Sequence, residues 1–312
     1  MKDKIFQKNV LLKDYTTYKI GGPAQYFFVA KTKEDLIKAV KTAKELKLPV
    51  FVLGGGSNIL VSDKGIKGLV IKLQISDFVL NKNRVHIGAG AMLPKLVAIA
   101  TKSGFAGLEW AAGVPGTVGG AIYGHAQAFG AKISDVVKSV EALDIKTLEI
   151  KKLSKKQCGF SLKSSIFKKN KNLIIVSAIL EFKKRPKKEI QKKIKEYLNY
   201  RKTRHPVSMP SAGSTFVNPQ VKIKNKKLLN MFPELIQFNN KGVIPAGYLV
   251  EKAGLAGKKI GRAQISEQHA NFIVNLGGAK AKDVMMLIKL AQEKVKKSFG
   301  IKLEPEVQFV GF

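Results

Sequence analysis

Two glycine-rich segments carry the residues best suited to grip an anion. Gly54-Gly55-Gly56-Ser57-Asn58 follows directly on the apolar run Val50-Phe51-Val52-Leu53, and Gly113-Val114-Pro115-Gly116-Thr117-Val118-Gly119-Gly120-Ala121 comes later in the chain. Glycine reaches dihedrals closed to other residues and lets a ligand approach the main chain. Consecutive N–H groups in such a turn form a nest for negative charge, and Ser57 and Asn58 add side-chain donors. The chemistry this suits is the holding of a diphosphate or of the polar edge of a flat ring. Neither segment has GxGxxG or GxxxxGK[ST] spacing, which argues against a Rossmann or P-loop site. Either alone reads equally well as a tight structural turn; two in one chain shift the balance toward a ligand.

The elements that must position these loops are short and mixed. Leu36, Ile37, Val40, Ala43 and Leu46 recur at helical spacing, and Pro49 interrupts them before the Val50–Leu53 strand. Leu69-Val70-Ile71 and Val85-His86-Ile87 read as strands, with a helix through Leu96, Val97 and Ile99. Leu173 to Phe182 reads as a long apolar strand, and Ile190, Ile194 and Leu198 mark a very basic helix ending near His205-Pro206. A last helix runs through Val284, Leu287, Ile288, Ala291 and Val295 and stops at Gly300, placed for a left-handed cap. Strands and helices alternate without a strict βαβ repeat, so the expected class is α+β.

Composition narrows the function. The 312 residues suffice for two or three domains, and 45% hydrophobic content supports a sizeable core. No apolar run reaches membrane-spanning length, and the N-terminus lacks an apolar signal core, so a cytoplasmic address is expected. The single cysteine, Cys158, excludes an internal disulfide framework and a multi-cysteine metal site; no metal is expected. The net charge of +34 comes from 56 Lys and Arg against 22 Asp and Glu. The positive residues are mostly lysines scattered over many segments, as codon bias in an AT-rich genome produces. No RNA-recognition or zinc-finger signature accompanies them, so no nucleic-acid partner is expected.

Six blocks, in order, resemble a known family. They are Tyr15-Thr16-Thr17-Tyr18-Lys19-Ile20-Gly21-Gly22-Pro23-Ala24, the Gly54 to Leu60 segment, Gly107-Leu108-Glu109 with Gly113 to Ala121, Pro210-Ser211-Ala212-Gly213-Ser214-Thr215-Phe216-Val217-Asn218-Pro219, Ala263 to Phe272, and Leu303-Glu304-Pro305-Glu306-Val307. The chain resembles the UDP-N-acetylenolpyruvoylglucosamine reductase family from about residue 10 onward. The resemblance implies a two-lobed FAD-binding domain of the vanillyl-alcohol-oxidase/PCMH type followed by an α+β substrate-binding domain. The lobes are expected at 1–74 and 75–207, with 298–312 returning to the second, and the substrate domain at 208–297. The short spacing between Lys163 and Ser214 resembles the smaller subtype, which lacks an inserted tyrosine-bearing loop.

The activity implied is reduction of an enolpyruvyl ether on a UDP-sugar, with FAD as cofactor, NADPH as hydride donor and a monomeric enzyme. The resemblance assigns Ser214 as proton donor, Glu306 to the carboxylate end of the substrate, and Lys163 to the place of the family's catalytic arginine. It assigns Gly54, Gly55, Gly56, Ser57, Asn58, Gly113, Pro115, Gly116, Thr117, Gly119, Gly120 and Ala121 to the cofactor. Asn218, Glu251, Gln264 and His269 fall to the substrate. The chain departs from the family pattern at several places. Leu162-Lys163-Ser164-Ser165-Ile166-Phe167 replaces Tyr-Arg-x-Ser-x-Phe, Val217 replaces a lysine, His125 and Gln127 replace Asn and Gly, and His205 replaces Gln. The alternatives are another FAD-dependent oxidoreductase of the same fold, a low-activity paralogue, or a basic binding protein that carries no flavin.

Overall fold

A computed structural model describes residues 2–312. The chain divides into two compact units, and it crosses from one to the other more than once. The first holds the N-terminal segment through Leu11, Pro23–Gly56 and Ile66–Thr203; the second holds Leu12–Gly22, Ser57–Gly65 and Arg204–Phe312.

The first unit is built on two sheets. One has four strands in the order Gln7–Leu11, Pro23–Ala30, Ile66–Leu73, Val50–Leu53. The first pairing is antiparallel and the other two are parallel. Parallel neighbours need a crossover, and the helix Lys33–Glu45 supplies one. Thr32 and Asp35 start that helix with a capping box: the Thr32 hydroxyl accepts from the Asp35 N–H at 3.0 Å, and the Asp35 carboxylate accepts from the Thr32 N–H at 3.2 Å. Its stripe of Leu36, Ala39, Val40 and Ala43 is buried. The second sheet is antiparallel, in the order Ile150–Ser154, Val137–Asp144, Leu173–Glu181, Arg84–Gly88, Phe78–Asn81. One core joins both sheets with the helix Leu93–Lys102 and the buried Trp110, Phe105 and Phe167.

The second unit has its own core, centred on the helix Ala281–Phe299 and the three-stranded antiparallel sheet Lys259–Ile260, Ala263–Ile265, Ile273–Asn275. Early residues complete it. Tyr18 and Ile20 are buried there, and the Asn275 amide donates to the Tyr18 carbonyl at 2.9 Å. Asp63 accepts from the Ala281 N–H at 2.8 Å and the Lys282 N–H at 3.2 Å, satisfying donors that the first helical turn leaves open. Gly300, at φ 70°, ends the same helix as its sequence position suggests. The last strand, Gln308–Val310, pairs in parallel with Ile59–Val61. That partner lies outside residues 75–207, to which sequence analysis had returned the C-terminal segment.

Among the described residues, no helix is long and apolar enough to cross a membrane.

Candidate active site

The two glycine segments meet. A Cβ built on Gly55 would lie 2.5 Å from the Gly116 Cα, and one on Gly54 would lie 2.7 Å from the Thr117 hydroxyl. Only residues without side chains permit that approach. The second loop is stitched to residues 89–93 by main-chain bonds, from Leu93 N–H to Gly116 at 2.9 Å, Val118 N–H to Ala91 at 2.9 Å and Gly119 N–H to Ala89 at 2.8 Å. Thr117 then caps the short helix Val118–Tyr123, its hydroxyl accepting from the Gly120 N–H at 3.2 Å.

A residue that sequence reasoning did not single out joins this group. Lys72 pairs in register with Leu53, and its ammonium donates to the Gly54 carbonyl. Burial lowers the Lys72 pKa. Glycine-turn N–H groups with a half-buried cation at their edge are the donor set a dinucleotide diphosphate requires, so the residues fit FAD. Asn58 is held differently: its amide donates to the Glu306 carbonyl at 3.4 Å, and its own carbonyl accepts from the Gln308 N–H at 3.1 Å.

Lys163 stands in the first unit, in the turn Ser161-Leu162-Lys163-Ser164, which Ser161 and Ser164 close with reciprocal backbone bonds of 3.0 and 3.1 Å. Its φ is 52°, in the left-handed region.

In the second unit, the stretch that holds Ser214 pairs with the stretch that holds Glu306. Gly213, at φ 74°, turns the chain into the extended stretch Ser214-Thr215-Phe216-Val217. On one side Ser214 bridges Phe272, and the Thr215 N–H donates to the Asn271 carbonyl at 2.7 Å. On the other, the Glu306 N–H donates to the Thr215 carbonyl at 2.8 Å and the Val217 N–H to the Glu304 carbonyl at 2.9 Å. Asn271, buried and assigned no role from sequence, clamps the middle: its side chain accepts from the Phe216 N–H and donates to the Phe216 carbonyl, both at 2.9 Å. The signal that could have found it is its position within the Ala263 to Phe272 block, where an amide can donate to and accept from both backbone groups of a neighbour.

The residues expected to meet the substrate are arranged around this layer with visible structural duties. The Asn218 side-chain oxygen accepts from the Ala246 N–H at 2.9 Å, starting the helix Ala246–Lys252 that carries the exposed Glu251. The Gln264 amide donates to the Gly257 carbonyl at 3.2 Å. His269 accepts from the Asn271 N–H at its Nδ1, at 3.2 Å, and packs edge-on to His205 and Phe272 with centroids 5.2 and 5.0 Å away. Burial lowers its pKa. Cys158 is buried, and burial pushes its thiol up to about 11, away from the thiolate that a nucleophile requires.

The mixed sheets and paired glycine loops of the first unit define a flavoprotein of the FAD-binding PCMH type, and residues 24–154 match the family described as FAD binding domain. Residues 205–310 match the family described as UDP-N-acetylenolpyruvoylglucosamine reductase, C-terminal domain. The UDP-N-acetylenolpyruvoylglucosamine reductase of Caldicellulosiruptor bescii is 40% identical over 309 residues, covering 98% of this chain and 91% of the relative. That of Anoxybacillus flavithermus is 39% identical, covering 98% and 94%. The crystal structure of the Thermus caldophilus enzyme superposes with a TM-score of 0.78 at 33% identity, covering 98% of this chain and 99% of that one. The chain belongs to the UDP-N-acetylenolpyruvoylglucosamine reductase family.

Proposed function

We propose that the protein reduces the enolpyruvyl ether of UDP-N-acetylglucosamine-enolpyruvate to the lactyl ether of UDP-N-acetylmuramate, an NADPH-dependent step of peptidoglycan precursor synthesis. The observation that carries the reading is the backbone pairing of residues 214–217 with Phe272 on one side and with residues 304–306 on the other, the Glu306 N–H meeting the Thr215 carbonyl at 2.8 Å. Gly54 to Gly56, Lys72 and Gly113 to Ala121 would hold FAD. When bound, FAD supplies the hydride chemistry, taken from NADPH and delivered to the enolpyruvyl double bond.

The protein's own residues do the rest. The substrate's carboxylate gains negative charge as its double bond is reduced, and Lys163 stabilises that growing charge more than the ground state. The Ser214 hydroxyl gives its proton to the ether-bearing carbon, and Glu306 acts at the carboxylate end. Asn218, Glu251, Gln264 and His269 border the UDP-sugar. The segment from Lys163 to Ser214 holds the helices Ile166–Lys169 and Lys187–Arg204, and its short length is the ground for proposing the smaller subtype. The working form is a cytoplasmic monomer, and the domain limits proposed are 1–74, 75–207 and 208–297.

The deciding experiment follows NADPH oxidation in the presence and absence of the enolpyruvyl UDP-sugar, with the lactyl product identified by mass spectrometry. Turnover dependent on that substrate is the expected result. Flavin that is reduced by NADPH but not reoxidised by the substrate would overturn the assignment.

A further inference from the structure

One buried side chain in the first unit makes bonds that the mechanism above does not use. His125 is 5% exposed and has φ 49°. Its Nδ1 lies 2.5 Å from the Ser161 carbonyl oxygen and its Nε2 2.8 Å from the Ser134 hydroxyl. A carbonyl can only accept, so Nδ1 carries a hydrogen. The ring lies against Phe160 at 4.8 Å.

Ser161 opens the turn that carries Lys163. This turn has little packing of its own: Leu162 is 47% exposed, and the Lys163 backbone is in a region that disfavours side chains. Such a segment keeps one geometry only when its surroundings over-determine it. Three side chains do so. His125 donates to Ser161, the Lys168 ammonium donates to the Lys163 carbonyl at 3.0 Å, and the buried Ser165 hydroxyl donates to the Tyr123 carbonyl at 2.8 Å. The first and third of these lead to residues 123–125, at the end of the helix that grows out of the second glycine loop. The Lys163 turn is therefore registered to the loop that would hold the cofactor.

We propose that His125 is a positioning residue for the reaction, fixing the base of the Lys163 side chain so that its ammonium meets the substrate carboxylate. The proposal rests on the role given to Lys163 above. A guanidinium aligns itself on a carboxylate through its planar fork, whereas an ammonium is a point charge on a flexible stem whose direction must come from its backbone. His125 supplies that direction through Nδ1; the Nε2 bond to Ser134 only holds the ring.

Two substitutions in the FAD-loaded enzyme separate the two ring nitrogens. His125→Asn puts an amide nitrogen where Nδ1 stood and keeps the Ser161 bond. His125→Gln reaches toward Ser134 and gives up Ser161. His125→Asn should leave flavin reoxidation by the enolpyruvyl substrate within about twofold of the parent, because the positioning bond survives. His125→Gln should slow it on the order of tenfold, the scale of a small misplacement of a charged group, with flavin reduction by NADPH unchanged. In a Lys163→Ala background, His125→Gln should cost nothing further, since the two act through one path. An equal cost in both backgrounds, or no cost in either, overturns the positioning role while leaving Lys163 in place. A Lys163→Ala enzyme as fast as the parent instead overturns the reading of Lys163. Should His125→Gln fail to fold, Ser134→Ala decides: its reoxidation rate should stay within about twofold, and a larger loss places the effect at Nε2 and overturns the proposal.

Discussion

Lys163 and Ser214 act at the same moment of the proposed reaction, when charge has moved onto the substrate, so their loss should appear in the same half of the cycle. Ser214→Ala should leave flavin reduction by NADPH intact and slow reoxidation by the enolpyruvyl substrate by roughly 10²-fold or more, as for a positioned proton donor; stopped-flow measurement of each half separately checks this. Lys163→Ala should lower turnover strongly with bound FAD retained. Lys163→Arg should preserve or raise it, because a second aligned hydrogen bond becomes available; steady-state kinetics on both variants reads the difference. Ser214 and Glu306 were reached through the sequence blocks that resemble the family, and their roles remain proposals. Lys72 was not reached in this way. It is one of 56 basic residues, and only the pairing of Ile66–Leu73 with Val50–Leu53 reveals that it lies against Gly54. The Tyr15 to Ala24 block shows the reverse case. It helped identify the family, yet its work is architectural: a Cβ on Gly22 would lie 2.2 Å from the Asp63 carbonyl.

Loops and helices were read more faithfully than their partners. The strands Val50–Leu53 and Leu173–Glu181 and the helix Lys187–Arg204 fall where periodicity placed them. Ile190 is the one buried residue of that helix. Its Arg201, however, donates to the Ala112 carbonyl at 3.0 Å and the Trp110 carbonyl at 2.9 Å, bracing the entry to the second glycine loop. Tyr197 from the same helix stacks on Phe129 with centroids 4.2 Å apart, at the tip of the hairpin formed by Gln127–Ala128 and Ala131–Lys132. No periodicity marks either contact, since both join segments far apart in sequence. The contact of the two glycine loops yields the sharpest test at this scale. Gly55→Ala must push the Gly116 backbone away from 2.5 Å, a strain of about 1–3 kcal/mol by comparison with overpacked cores. The variant should purify with little flavin, measured as the visible absorbance per mole of protein, while Gly124→Ala, at φ −84° and with no atom nearer than 3.5 Å to the added Cβ, should keep it.

At the scale of the whole molecule, charge and cofactor set the conditions for stability. Acid precipitation should release FAD into the supernatant, since the expected attachment is noncovalent; flavin left in the pellet would refute this. Added FAD at a hundredfold excess over its Kd should stabilise by about 2.7 kcal/mol, read as a rise in Tm. The Lys33 hydrogen bond at 2.8 Å, aided by Ser177 and opposed by burial, holds the Glu141 carboxyl below its ordinary value. A depressed carboxylate stabilises fully above its unfolded pKa, about 4.3, and that contribution disappears as pH falls through the folded value. This pair should therefore lower Tm slightly below about pH 4, a loss absent in Glu141→Gln, whose deficit near neutrality should stay within about 1 kcal/mol because the pair is partly exposed. Protonating the 22 acidic residues also leaves 56 basic ones uncompensated, which adds to the acid sensitivity. The pairing of Ile59–Val61 with Gln308–Val310 bears on something else, the order in which the molecule can be made. A ribosome adds about 5–20 residues per second, so the early strand waits tens of seconds for its partner with one edge open. During that interval the nascent chain offers an unpaired edge to its neighbours on the same message, and this is where a chaperone would have most to protect.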